Sequence, residues 1–427
     1  MDARRVVRFG LLFAVMVNMA YLRGFDIDSV TSSYLVVVWV IGGAVLVFAI
    51  FAKTGSTMVT GRWWPWVGLV AWTCVSFMFN LVVRPHSMLT IQFMIEMLLN
   101  FMLFLVFLYL LDEELLEELY RKFLIVSAGA GAVLLAYPTI SGANSVRRVG
   151  GYELPGAVNN ISTMLAVGVV IAVVGIVTAD DWRNATVEWI ALPLVTIGVF
   201  LSASRAAIIG LVISFGVLVL ASNIDLGQAV AAGSAFVLMV GAVLGALYDF
   251  SGLYRFSLAG LQDAVSTRLV LYRAAIQQSG TDPVSLIFGG GMYRYSKIAG
   301  PDAVTPFNNI IYPHNYVISL LVHVGLPAAL LFGIAFLWNG RSLVYFTLEG
   351  EELDYVATTT LLSLIVVSMY VFTSGRITRT FALWVVLGIS EFLYASRVLD
   401  VDPKTQLAEF VRGSRSTDGP DPSPEEV

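Results

Sequence analysis

Charged residues are scarce in this amino-acid sequence. Asp, Glu, Lys and Arg make up only 13% of its 427 residues, whereas about 25% is usual for a soluble globular domain. Lysine occurs only at Lys53, Lys122, Lys297 and Lys404, so arginine supplies most of the positive charge. Together with 58% hydrophobic residues, this scarcity excludes an ordinary soluble domain and predicts a protein that crosses a membrane many times.

Other absences exclude further classes of protein. The single cysteine, Cys74, has no partner within the chain for a disulfide. The formal net charge of -5 excludes the strongly basic surface that nucleic-acid binding requires, so we expect no nucleic-acid partner. No nucleophile elbow, P-loop or zinc signature occurs either. Arginine, histidine and amide side chains therefore remain as the candidates for chemistry.

Apolar runs of the length that crosses a bilayer, about 17 to 25 residues, recur along the chain. We predict an all-α polytopic membrane protein with about twelve transmembrane helices. The predicted spans are 6–22, 34–52, 63–83, 88–111, 122–138, 160–178, 185–201, 206–222, 226–248, 314–338, 356–374 and 377–395.

The rest of the chain divides into a long loop and a tail. We predict a membrane domain over 1–397 that includes an extracytoplasmic loop at 249–313, between spans nine and ten. The polar, proline-rich segment 398–427 cannot bury a core and is expected to be a disordered cytoplasmic tail. Lys and Arg in the short loops favour cytoplasmic termini in a multi-pass protein of the cell membrane. The outer side is nevertheless rich in arginine, which indicates that an anion binds there.

An amphipathic helix is predicted within the long loop. Apolar residues recur there at helical spacing, at Leu258, Leu261, Val265, Leu269, Tyr272 and Ile276. Such a helix can lie on the membrane face or cap the bundle. Arg268 and Arg273 flank this row of apolar residues. Asp282 and Pro283 should end the helix, and the glycines at 289–291 permit a tight turn after it.

Arg205 lies in a very short break between predicted spans seven and eight, in "VFLSASRAAIIGL". Ser202 or Ser204 is available to cap the following helix. Free N–H groups, the positive end of the helix dipole and a guanidinium would then converge on one point, which suits phosphate. The alternative for this arginine alone is a side chain that merely extends to the interface.

His314 stands at the start of predicted span ten, in "IIYPHNYVISLLVHVGL". Asn315, Ser319 and His323 share one face of that helix, and we predict that this polar stripe packs inside the bundle. The alternative for His314 alone is a hydrogen bond to backbone or water. Deeper in the membrane region, Glu96 and Glu391 have two interpretations, pairing with arginines or marking a proton path, and we favour structural pairing.

The order of these segments resembles that of the O-antigen ligase and polymerase superfamily. "SASR" at a span junction is followed by a loop with "STRLVLYRAAIQQSGTDPVSLIFGGGM" and then by "PHNYVISLLVHVGL". The resemblance extends from about Arg147 to Leu326 and includes "RRVGGYELPGAVNNIS". It implies an all-helical, type C glycosyltransferase. Such an enzyme takes a glycan from an undecaprenyl or dolichyl diphosphate carrier on the outer face and joins it to a hydroxyl of a glycan or lipid acceptor.

The resemblance also implies roles for particular residues. Arg205 corresponds to a diphosphate-binding arginine, Arg268 to the loop arginine and His314 to the functional histidine, and we predict these three as catalytic. The predicted substrate-binding residues are Arg148, Asn160, Tyr272, Arg273, Gly290 and Asn315. The sequence departs from the family pattern where Tyr272 replaces a common tryptophan and His323 a frequent glutamate.

The implied reaction is metal-independent, with inversion at the anomeric carbon, and we expect no cofactor. The acidic pair Asp26 and Asp28 lies in the first outer loop, where many membrane glycosyltransferases bind a metal, so that alternative stays open. A polysaccharide polymerase or a protein O-oligosaccharyltransferase of the same superfamily fits the same residues. A secondary transporter of an organic anion is the alternative from another class, although we find no internal repeat.

Overall fold

The computed structural model describes residues 3–17, 62, 64–83, 87–141, 158–202, 204–222, 258–291, 315–348, 353–374 and 380–398. Every regular element in these ranges is helical, which confirms the all-α prediction. The helices are α1 (Ala3–Val17), α2 (Trp64–Val83), α3 (Ser87–Leu110), α4 (Glu113–Ser141), α5 (Val158–Val177), α6 (Thr186–Leu201), α7 (Arg205–Ala221), α8 (Leu258–Thr281), α9 (Pro283–Phe288), α10 (Tyr316–His323), α11 (Leu326–Leu348), α12 (Tyr355–Ser374) and α13 (Phe381–Val398), with a short 3₁₀ turn at Trp182–Asn184.

Within the described residues, six helices are long and apolar enough to cross a membrane. They are Trp64–Val83, Glu113–Ala136, Asn160–Val177, Leu326–Leu348, Tyr355–Thr373 and Phe381–Val398. Shorter apolar helices occupy Met94–Leu110, Thr186–Leu201 and Arg205–Ala221. The protein is therefore embedded in a membrane, but the number of spans stays a prediction. Predicted spans 34–52 and 226–248, the two ends of the long loop at 249–257 and 292–313, and the tail from 399 lie outside the described residues.

Helix α4 begins nine residues before the apolar run that predicted it. Asp112 caps it by accepting a hydrogen bond from Leu115 N at 2.9 Å, and Glu113 and Glu114 in its first turn suit the helix dipole. Leu115 and Leu119 are fully buried, although charged residues surround them in the sequence. A hydropathy pattern detects the membrane run but misses this amphipathic first part.

Close contacts between helices form the core around α12, which packs against α5, α7, α11 and α13. A Cβ on Gly210 of α7 would lie 2.9 Å from Val366 Cα of α12, and one on Gly388 of α13 would lie 2.6 Å from the Phe104 carbonyl of α3. Small residues thus let the backbones approach closely, as in other membrane bundles.

The two ends of the bundle differ in charge. At the start of α12, Asp354 pairs with Arg397 at 3.1 Å, and Arg397 also pairs with Glu113 at 2.8 Å. The same end holds pairs of Arg5 with Glu114 and Arg8 with Asp112, at 2.9 and 3.3 Å. We call it the ion-paired end. Phe372, near the other end of α12, is about 27 Å away along the helix axis. The end near Phe372 carries Arg205 and is called the arginine end.

Glu391 forms the buried ion pair that the sequence predicts. Its Oε1 lies 3.7 Å from Nη2 of Arg62 and accepts hydrogen bonds from Asn339 Nδ2 at 2.9 Å and Trp66 Nε1 at 3.4 Å. The Arg62 guanidinium also lies 3.6 Å from the centroid of the Tyr394 ring. This network joins the start of α2 to α11 and α13, because a carboxylate inside the bundle requires partners.

Predicted span ten is not one helix. Helix α10 ends at His323 and α11 begins at Leu326, because Gly325 between them adopts φ +107°, which breaks the helix. The turn after α9 packs against this break: Gly290 N donates to Val322 O at 2.6 Å, and His323 Nδ1 lies 3.0 Å from Gly291 O. The run 314–338 looks continuous in the sequence because both segments are apolar.

We expect Gly325→Ala to destabilise the protein strongly. A Cβ at Gly325 would overlap the carbonyl oxygen of Ile287, and the positive φ disfavours any L side chain. The expected loss in the free energy of unfolding is at least about 2 kcal/mol. Thermal unfolding in detergent measures it. Gly333→Ala is the matched control, because a Cβ at Gly333 in α11 meets nothing within 4 Å. Equal melting temperatures for the two variants would show that the break does not need glycine.

Candidate functional site

Arg205 is the first residue of α7 at the arginine end. Ser204 occupies the N-cap position with an extended backbone, but its side chain makes no capping hydrogen bond. Ser202 instead donates its hydroxyl to Val199 O at 2.6 Å. Ser204 is therefore the N-cap residue, as one of the two expectations had it, but neither its side chain nor that of Ser202 bonds to the first N–H groups of α7. These groups and the helix dipole are left oriented for an external acceptor.

The Arg205 side chain is half-buried against the bundle. Its Nε is buried and has no hydrogen-bond partner, and no described carboxylate forms an ion pair with it. Ala206, Ala207 and Gly210, all buried, allow α7 to pack tightly on α12 at this point. The short link and tight packing leave the arginine little freedom to move into water.

Helix α8 brings a second arginine to the same end. Leu271 and Ala275 of α8 are buried against Val322 of α10, with Tyr272 and Ile318 packed beside them. Arg268, one turn before Tyr272, lies on the flank of this face. Burial lowers the pKa of the Arg268 guanidinium, the Tyr272 phenol raises it, and the nearby positive charge of Arg205 lowers it again. The two arginines therefore share one electrostatic environment.

Asn315 and Tyr272 meet at the last turn of α12. Asn315 Oδ1 accepts from Ile318 N at 3.0 Å and so caps α10, while its Nδ2 donates to Phe372 O at 2.9 Å. The Tyr272 hydroxyl donates to the same carbonyl at 3.4 Å. Burial raises the pKa of Tyr272, whereas Arg268 and a hydrogen bond with Asn315 lower it. The phenol therefore stays protonated and can donate.

Four of the predicted site residues thus come together from separate helices. Arg205 of α7, Arg268 and Tyr272 of α8, and Asn315 at the start of α10 form what we call the basic cluster. The main-chain carbonyl of Phe372 connects two of them. Sequence reasoning missed Phe372, because an apolar residue inside a span gives no sign that its carbonyl is used.

The other predicted site residues lie elsewhere or are not described. Asn160, near the start of α5, lines an apolar cavity together with Met16, Tyr120 and Phe381. Gly290 is buried, and its N–H is engaged by Val322 O. Arg273 is exposed on another side of α8. Arg148, His314 and the acidic pair Asp26 and Asp28 lie outside the described residues, although His314 directly precedes Asn315 in the chain.

The polar stripe of α10 packs inside the bundle as predicted. Ser319 and His323 are both fully buried, and Asn315 is half-buried. Because His323 bonds to the Gly291 carbonyl, the stripe connects α10 to the glycine turn that ends the described part of the long loop. It thereby holds α10 and α8 in the arrangement that forms the basic cluster.

The basic cluster presents two guanidinium groups and an amide that can donate hydrogen bonds, beside the start of α7, whereas the Tyr272 phenol donates to Phe372 O. Such a set suits an anion with several acceptor oxygens. In the described ranges, no group of three or more His, Cys, Asp or Glu side chains is arranged to hold a metal ion. The fold and this cluster define a helical membrane protein with a group of arginine and polar side chains at one end of the bundle.

A comparison with known proteins points to the same family. Residues 189–333 match the family described as O-antigen ligase. This match confirms the resemblance to the O-antigen ligase superfamily that was drawn from the sequence. The matched region runs from α6 into α11 and contains all members of the basic cluster. No curated protein matches the chain. The family match supports a membrane enzyme that transfers glycans from lipid-linked substrates.

Proposed function

We propose that the protein is a glycosyltransferase of the O-antigen ligase type, which transfers a glycan from a polyprenyl diphosphate carrier to an acceptor hydroxyl. The observation that carries this proposal is that Arg268 lies close enough to Arg205 to feel its charge, beside the point where Tyr272 and Asn315 meet at the Phe372 carbonyl. Like charges held close together and partly out of water raise the free energy of the empty site. A diphosphate offsets this cost because its oxygens accept charge-assisted hydrogen bonds from both guanidinium groups.

The arginines act on the leaving group. As the bond between the sugar C1 and the phosphate oxygen breaks, the electron pair leaves with the diphosphate, and Arg205 and Arg268 neutralise the added negative charge. The N–H groups at the start of α7 contribute to the same stabilisation. Because guanidinium groups carry out this neutralisation, the reaction proceeds without a divalent metal.

His314 acts on the acceptor. It takes the proton from the incoming hydroxyl while the acceptor oxygen forms its bond to C1. An imidazole of ordinary pKa, about 6.5, is mostly neutral near pH 7 and can accept a proton. Attack from the side opposite the leaving diphosphate inverts the anomeric configuration. Asn315, capping α10 directly after His314, fixes the point at which the helix begins.

The arginine end faces the outside of the cell, and both termini are cytoplasmic. The distribution of charge supports this orientation: arginines at the ion-paired end are matched by Glu113, Glu114 and Asp112, on the side that the short basic loops assign to the cytoplasm. The carrier glycan is therefore used on the outer leaflet.

Two alternatives fit some of the same residues. A surface polysaccharide polymerase or a protein O-oligosaccharyltransferase would use the basic cluster in the same way with a different acceptor. The interruption between α10 and α11 at Gly325 is a specific observation in favour of a secondary transporter of an organic anion, because transporters often contain broken helices.

Reconstituted protein separates the enzyme from the transporter. Proteoliposomes containing carrier-linked, radiolabelled glycan and an acceptor are incubated in EDTA. We expect a covalent product whose anomeric configuration is opposite to that of the donor. Uptake of a labelled anion into sealed vesicles without any covalent product would overturn the proposed function, and a strict need for a divalent cation would overturn its metal-independent form.

A further inference from the structure

The surface of α8 divides into three sectors along its length. Taking Leu271 as 0° and about 100° per residue, the buried residues Leu271, Ala275 and Ser279 fall between 0° and about 80°. They are 2%, 0% and 4% exposed, and they face α10. This sector explains how α8 packs on the bundle, but it occupies less than a third of the helix circumference.

The second sector is apolar and uncovered. Val265, Ile276 and Leu269 fall at about 120° to 160°, next to the buried sector, and are 55%, 54% and 59% exposed. These three residues are called the apolar stripe. They belong to the periodic pattern that predicted the helix, whereas the buried residues Leu271 and Ala275 lie outside that pattern.

The third sector is polar. Exposed Gln262, Arg273, Ser266 and Gln277 follow between about 180° and 240°. Val270, at about 260°, is also exposed and is the one apolar residue on that flank. A helix with a protein side, an apolar side and a polar side in this order matches one that lies along a membrane surface beside a bundle.

Further exposed apolar side chains lie on the elements that follow α8 and hold it to the bundle. Helix α9 follows directly, with Val284 and Ile287 each 43% exposed. It is attached to the apolar helix α2, where Ser76 donates to Phe288 O at 2.6 Å and the ring centroids of Phe288 and Phe79 stack 4.4 Å apart. On α2 itself, Val75, Met78 and Val82 are exposed, as expected for a helix that crosses a membrane.

We infer that α8 lies in the outer leaflet of the membrane, with Val265, Leu269 and Ile276 among the lipid acyl chains and Arg273 and Gln277 directed to water. Arg268 and Tyr272, at about 60° and 100°, then stand at the border between the bundle and the leaflet. This deepens the proposed function and rests on it: the diphosphate of a lipid-linked glycan reaches Arg268 at headgroup level, without its carrier leaving the membrane.

Site-directed spin labelling in lipid nanodiscs tests this inference. In a Cys74→Ala background, a nitroxide is attached at Leu269→Cys or, as the matched control on the polar sector, at Gln277→Cys. Val265→Cys and Ile276→Cys repeat the first position in case one variant folds poorly. Collision with oxygen, which is concentrated in lipid, is compared with collision with a water-soluble nickel chelate.

We expect the label at 269 to collide more with oxygen than with nickel, and the label at 277 to show the reverse. Equal nickel accessibility at both positions would overturn the inference by placing the stripe in water. If the label at 269 were shielded from both oxygen and nickel, the inference would be overturned, because another copy of the chain would then cover the apolar stripe. Because no glycan is present, this result is independent of the transfer assay: the stripe can fail to insert in an active transferase, and it can insert in a protein that transfers nothing.

Discussion

Arg205→Ala is expected to lower the rate of glycan transfer by about 10²- to 10³-fold, the usual effect of removing one group that stabilises the charge developing in a transition state. The variant should fold, because Arg205 is a half-buried residue that forms no ion pair with a described carboxylate. Arg205→Lys should recover only part of the rate, since an ammonium retains the charge but loses the paired geometry of a guanidinium. Initial rates in proteoliposomes measure both effects.

Arg341→Ala is the matched control for charge, because Arg341 is exposed in the half of α11 that leads away from the break at Gly325. Combining Arg205→Ala with Arg268→Ala tests whether the two arginines act on one group. If they bind the same diphosphate, their effects are not additive, and the double variant is less impaired than the product of the single effects predicts. Strictly multiplicative losses would mean that they act at separate places.

His314→Ala is expected to abolish most transfer, with a rate loss of about 10²- to 10⁴-fold, the range for removal of a general base. The clearest readout is mass analysis of carrier-linked glycans in cells whose only copy is this variant. Accumulation of long chains on the carrier would mean that attachment fails and that the protein is a ligase. Accumulation of single repeat units would mean that it is a polymerase.

His86→Ala serves as the control for loss of a histidine, because the sequence around His86 carries no sign of a functional role. A glycan profile of His314→Ala identical to that of His86→Ala and wild type would remove His314 as the base and leave it at most a positioning residue. The affinity for the carrier should be nearly unchanged in His314→Ala, since in this mechanism the histidine contacts the acceptor.

Features of the fold that depend on neighbours in the sequence could be predicted. Tyr272 follows Arg268 by one helical turn, so a correct helix in the loop is enough to bring them to neighbouring positions. Asp282 ends α8 as expected, since its carboxylate accepts from Val284 N at 3.0 Å and Pro283 follows it. These features are local, and local rules for caps and periodicity are sufficient for them.

Features that depend on contacts distant in sequence could not be predicted. The break at Gly325 exists because the Ile287 carbonyl packs where a Cβ would lie, and nothing in an apolar run reveals that partner. The buried side of α8 is missed for the same reason: the predicted pattern includes Leu269, which is exposed, and omits Leu271, which packs against α10. The use of the Phe372 carbonyl is a further case.

Binding of the carrier itself tests the central claim most directly. The affinity of wild-type protein in nanodiscs for polyprenyl diphosphate is compared with its affinity for polyprenyl monophosphate, in EDTA, and both are repeated with Arg205→Ala. We predict that the wild type prefers the diphosphate and that Arg205→Ala weakens diphosphate binding by about 10- to 100-fold, the loss of one charge-assisted contact of roughly 1.5 to 3 kcal/mol. Equal affinity of both proteins for both lipids would contradict the account, because the basic cluster would then not recognise the diphosphate.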